Sequence, residues 1–128
     1  MNKKIVIMGL LGAIFGLFSC QAQSDKKFVS VDAEEFEKVI ADTAVIRLDV
    51  RTPEEYQEGH IDGAVNIDVQ NDSFEDKATS TLSKDKTIAL YCRSGRRSKK
   101  AANILSAKGY NIVELNTGYS GWVAYKRR

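Results

Sequence analysis

The chain has 128 residues, 43% hydrophobic and 28% charged, with 19 basic against 17 acidic side chains and a formal net charge of +2. That length supports one domain around a single core. The small excess of charge, carried by Lys3 and Lys4 at the N-terminus, excludes the broad basic face that a nucleic-acid partner would need. With one histidine, two cysteines and no CxxC, the sequence calls for no metal and no cofactor.

In chain order, residues 1–19 read as an export signal: Lys3 and Lys4 make a basic start, and residues 5–18 form an uncharged apolar run. That run is short for a membrane span and fits a signal-peptide core. It ends in Leu17-Phe18-Ser19-Cys20, which resembles the lipobox of bacterial lipoproteins, where the cysteine is lipidated and becomes the new N-terminus. Phe18 departs from the small residue usual there, and an ordinary cleaved signal or an uncleaved anchor would export the domain equally. The expectation is an exported lipoprotein, facing the periplasm and anchored to the membrane through Cys20. Residues 20–27 form its tether and residues 28–128 its folded domain. With Cys20 acylated, Cys92 is the one free thiol and no intramolecular disulfide can form.

The domain alternates strands and helices. Residues 28–31 read as a strand, Asp32 as an N-cap, and residues 33–40 as a helix with Phe36, Val39 and Ile40 on its apolar stripe. Residues 45–50 form a second strand. Pro53 then starts a short helix over 54–57 that ends at Gly59, and residues 64–67 make a third strand. The polar stretch 70–83 is anchored by Phe74 and Leu82 and admits a helix. Residues 87–91 are a buried strand, residues 98–105 lie on a helix ending at Lys108-Gly109, 111–115 is the last strand, and a closing helix carries Trp122, Val123 and Tyr125. Such alternation predicts an α/β fold with a parallel sheet covered on both faces, and reactive residues at the carboxyl ends of its strands.

Cys92 stands at one such end, in Tyr91-Cys92-Arg93-Ser94-Gly95-Arg96-Arg97-Ser98. A strand-loop-helix junction aims backbone N–H groups into one concavity and adds the positive end of a helix dipole. Five cationic residues and no acidic one lie in the stretch from Cys92 through Lys100. A thiol there is drawn toward thiolate, which makes Cys92 a candidate nucleophile in an anion pocket. Arg93 and Arg97 are the first choices for an anionic donor. Arg96 reads equally well as solvated, Gly95 lets the loop curl, and Ser94 and Ser98 complete the candidate binding loop.

Leu48-Asp49-Val50-Arg51, Glu55-Tyr56, residues 59–67 from Gly59-His60-Ile61 onward, and the Cys92–Ser98 loop follow one another in an order that resembles the rhodanese family. The likeness runs on through Gly109-Tyr110 and Leu115 to Gly118 and Trp122, and departs at Thr117-Gly118, where the family often has a glycine pair. It implies a five-stranded parallel sheet with helices on both faces. It also implies a sulfurtransferase in which the cysteine takes a sulfane sulfur from a small anionic donor such as thiosulfate. The persulfide then hands that sulfur to cyanide or to a thiol, such as that of a thioredoxin-like protein. Two other functions stay open: a persulfide-delivery or binding module for one partner protein, and a phosphatase or arsenate-reductase-like enzyme. The second is disfavoured because Arg97 closes a Cys-x4-Arg loop, one residue shorter than the Cys-x5-Arg of cysteine phosphatases. His60 reads as a loop-ordering histidine, Asp49 and Arg51 as a buried ion pair, Trp122 as a lid on the core, and Tyr91 as packing beneath the loop. Cys20→Ala is expected to block lipidation and processing and to leave a slower-migrating precursor on a gel; normal processing to a soluble exported protein would favour a conventional signal.

Overall fold

The computed structural model describes residues 28–128; residues 1–27, with Cys20 and the export signal expected from the sequence, lie outside the described residues. Ten elements alternate: β1 (Phe28–Val31), α1 (Ala33–Ile40), β2 (Ile46–Asp49), α2 (Pro53–Glu58), β3 (Val65–Asn66), α3 (Phe74–Thr81), β4 (Thr87–Tyr91), α4 (Arg96–Ala107), β5 (Asn111–Leu115) and α5 (Gly118–Lys126). The five strands form one parallel sheet in the order β1-β5-β4-β2-β3. This is the α/β architecture expected from the sequence, with β4 at the centre.

Local chemistry accounts for most element ends. Asp32 caps α1 by accepting from the Glu35 amide at 2.9 Å. Thr52 and Glu55 form a reciprocal capping box around Pro53, so α2 begins at the proline and runs to Glu58. Helix α4 closes at Gly109, where the Gly109 amide bonds to Ser106 and the Tyr110 amide to Leu105, the paired bonds of a Schellman end. Strand β3 is shorter than the stretch 64–67 read from the sequence. As an edge strand it has only β2 beside it, and past Asn66 the chain keeps contact through single bonds from Ile67 to Asp49 and from Val69 to Val50. The stretch 70–83 contains the helix α3, with Phe74 and Ala78 buried on it and Leu82 at its end.

The strand period of two sorts the core into two layers. On one face Leu48, Ile88, Leu90 and Ile112 pack with Phe74, Ala78, Ala101, Ala102 and Leu105 from α3 and α4, and Cys92 joins this layer. On the other, Ala89, Tyr91 and Leu115 meet Phe36 and Ile40 of α1, with Tyr119, Trp122 and Tyr125 of α5 at the margin. Because β4 is paired on both sides and covered on both faces, it is apolar at nearly every position, as a central parallel strand requires. Leu90, fully buried two residues before Cys92, is expected to cost about 2–5 kcal/mol of stability on truncation to alanine, read as a lower urea midpoint with an unchanged slope.

Candidate active site

Residue 92 follows the last residue of β4, and α4 starts four residues later, so the loop must reverse within Cys92–Gly95. Gly95 does this with φ of +107°. A Cβ there would stand 2.3 Å from the Asn116 carbonyl oxygen, so the position excludes any other side chain both conformationally and sterically. The reversal brings the Gly95 amide to 3.1 Å from Cys92 Sγ, and the Ser98 hydroxyl lies 3.4 Å away on the other side. Cys92 is almost wholly buried. Burial works against its thiolate, but the Ser98 hydroxyl and the amides of Ser98, Gly95 and Ser94 outweigh it, and the thiol sits below its ordinary pKa.

The loop is fixed from behind by α5. Gly118, at φ +67°, presses against the Arg93–Ser94 peptide, where a Cβ would come within 2.3 Å of the Arg93 carbonyl. The Tyr119 amide then donates to the Cys92 carbonyl at 2.8 Å and the Ser120 amide to the Arg93 carbonyl at 3.1 Å. These are first-turn amides that a helix leaves without internal partners.

The cations of the loop do not act as one group. Arg97, read from the sequence as a contact for the donor, is gripped by Glu55 of α2, through Nη1 to Oε1 at 2.7 Å and Nη2 to Oε2 at 2.9 Å. That two-pronged grip holds the Glu55 carboxyl at about 2, far below its usual range. Lys99 reaches back to the Gly95 carbonyl and to Glu114. Arg93, Ser94 and Arg96 are exposed, and Ser98 is fully buried. Of the expected binding residues, then, Gly95 and Ser98 hydrogen-bond to the sulfur. Arg93 lines a cleft of about 440 Å³ beside the loop, together with Arg51, Glu55, Tyr119 and Val123.

Asp49 and Arg51 form the buried pair expected, with Arg51 Nη2 2.7 Å from Asp49 Oδ2 and also donating to the Gly59 carbonyl; the guanidinium lies 4.5 Å over the Tyr119 ring. His60 stacks on Tyr56 and sets Nδ1 2.8 Å from the Tyr56 carbonyl oxygen, an ordering role for its loop. Trp122 packs edge-on against Phe36, on the sheet face opposite Cys92. Tyr91 shares that face: its hydroxyl accepts from the Ile61 amide, and burial pushes its phenol well up. It braces the loop through α5, stacking on Tyr119, rather than lying under the sulfur.

The sequence profile of the rhodanese-like domain family matches residues 32–125. The chain belongs to the rhodanese-like domain family. Among its relatives, the thiosulfate sulfurtransferase PspE of Escherichia coli K12 is 45% identical over 67 residues, 52% of this chain and 64% of that protein. A tRNA uridine(34) hydroxylase of Pelagibacter ubique is 34% identical over 118 residues, 91% of this chain but 36% of its own length. A crystal structure of a rhodanese-related protein from Thermoplasma volcanium superposes with a TM-score of 0.68 at 33% identity, covering 76% of this chain and 92% of that one. The rhodanese-like fold, with its five-stranded parallel sheet, is therefore common to this chain and its structural neighbours.

Sequence reasoning did not reach Glu114. It is fully buried on β5, accepts from Ser30 and Ser98 at 2.5 Å each, and lies 3.1 Å from Lys99 Nζ. The available signal was a lone acid inside the apolar run Ile112-Val113-Glu114-Leu115.

Gly95→Ala is expected to lift the Gly95 amide off the sulfur and raise the Cys92 pKa. In the parent, alkylation by iodoacetamide should begin to accelerate at a lower pH than for an ordinary thiol, and in the variant this onset should move to higher pH.

Proposed function

We propose that this rhodanese-like domain is a sulfurtransferase in which Cys92 carries a sulfane sulfur as a persulfide. The observation that carries the reading is a buried thiol held below its ordinary pKa by the loop amides and Ser98, with the Cys-x4-Arg loop length of the family's sulfurtransferases.

The chemistry follows from that arrangement. The Cys92 thiolate attacks the outer sulfur of a donor such as thiosulfate, a new S–S bond forms, the donor's own S–S bond breaks, and sulfite leaves with the electron pair. A thiolate or cyanide then attacks the outer sulfur of the persulfide and Cys92 departs as thiolate, so no external oxidant or reductant is needed. Both steps carry negative charge on or next to the sulfur, where the Gly95 amide already points at Sγ and the Ser94 and Ser98 amides favour the anion. Arg93 supplies the exposed cation for the donor. Arg97, engaged by Glu55, contributes its field and fixes the start of α4. Delivery of the persulfide to one partner protein would use the same first step and differ only in the acceptor. We further propose that lipidation at Cys20 holds the domain on the periplasmic face of a membrane.

Intact mass of the purified domain after thiosulfate should show one added sulfur, and Cys92→Ser should abolish both that adduct and cyanide-dependent turnover. Transfer surviving in the serine variant, or hydrolysis of a phosphate ester without sulfur transfer by the parent, would overturn the reading. Arg93→Ala should lower kcat/KM for thiosulfate by roughly ten- to a hundred-fold, mainly through KM, and should weaken the inhibition of the reaction by added salt.

A further inference from the structure

The Ser98 hydroxyl has one hydrogen and two neighbours that compete for it. In the arrangement observed it donates to Glu114 Oε2 at 2.5 Å, so its lone pairs face Cys92 and accept the thiol hydrogen across 3.4 Å. A thiolate reverses that demand: an anionic sulfur needs Ser98 to turn its hydrogen toward Sγ, which deprives the fully buried Glu114 of a donor. Both demands are met if two protons move together.

We propose that Glu114 stores the proton that Cys92 gives up, with the Ser98 hydroxyl as the relay. The Cys92 S–H bond breaks and its proton joins Ser98 Oγ; the former Ser98 proton joins Glu114 Oε2. The sulfur keeps the electron pair, Ser98 is again a neutral hydroxyl, and the carboxylate becomes a carboxyl. No proton leaves the protein and its net charge is unchanged. The negative charge moves from Glu114, between Ser30 of β1 and Lys99 of α4, to the sulfur, where the loop amides receive it. The other charged groups facing this chain are Arg97, paired with Glu55 of α2 and in the field of Asp68, and Lys99. A thiol this deeply buried thereby ionises without solvent and without a histidine, His60 being held on Tyr56. Glu114 is a positioning residue in this scheme: it touches no substrate, and it keeps the proton through both sulfur-transfer steps.

The inference rests on the reading of Cys92 as the nucleophile, but its test needs no sulfur donor. Two acids sharing one proton titrate as a pair. The rate of Cys92 alkylation by iodoacetamide should therefore rise with pH in two steps separated by a plateau, and the thiolate ultraviolet absorbance should follow it. Glu114→Gln, nearly the same shape, and Ser98→Ala should each reduce this to one step, and Ser98→Ala should slow alkylation at neutral pH by about tenfold. Infrared spectra of the parent should contain a protonated buried carboxyl band that is missing from both Glu114→Gln and Cys92→Ser. If the parent gives a single step, or both variants keep its profile, or the carboxyl band is absent from the parent or persists in Cys92→Ser, the relay is overturned and Glu114 is only the buried partner of Lys99. Failure of sulfur transfer alongside an intact two-step profile would count against the proposed function and leave the relay standing.

Discussion

The site depends on which way the peptide groups of the Cys92 loop face. Amides can converge on the sulfur only if the carbonyls of the same turn point elsewhere and find donors there. Those donors are the amides of Tyr119 and Ser120 at the start of α5, which take the carbonyls of Cys92 and Arg93. Gly118 makes the approach close enough, since a side chain at that position would occupy the space of the Arg93 carbonyl itself. The rest of the fold serves this arrangement. The central strand delivers the cysteine, Asn116 closes over Gly95, and Arg51 sits across Tyr119 to hold the helix start in place.

Charge near the sulfur is more evenly balanced than the run of arginines and lysines implies. Two of the five cations are occupied by acids from other elements, Arg97 by Glu55 and Lys99 by Glu114. Arg93, Arg96 and Lys100 have no carboxylate partner among the described residues and point to solvent, where screening weakens them. The near stabilisation of an anion falls to neutral dipoles: three amides and a hydroxyl. Such groups bind a soft, singly charged sulfur without also binding every passing anion strongly.

Much of this was legible because it is local. The apolar run 87–91, the glycine three residues after Cys92 and the caps at Asp32 and Pro53 act within a few residues of their own position, so the element order and the reactive loop can be read along the chain. The partners of Arg97 and Ser98 cannot. Glu55 lies 42 positions from Arg97 and Glu114 lies 16 from Ser98, and only the strand order β5-β4-β2 brings them together. The same holds for Tyr91. Its place in the sequence suggests a support directly under the loop, whereas the strand period turns it to the opposite face, so that its support passes through Tyr119.

The clamp at Gly118 also orders events in time. The groups that orient the nucleophile's loop come from the helix that follows the last strand, so the cysteine emerges from a ribosome before the helix that orients its loop does. Until α5 docks, the carbonyls of Cys92 and Arg93 lack the donors that turn them away from the sulfur, so the full lowering of the thiol pKa belongs to the finished domain. A chain whose last helix has not yet docked is thereby spared early chemistry at Cys92.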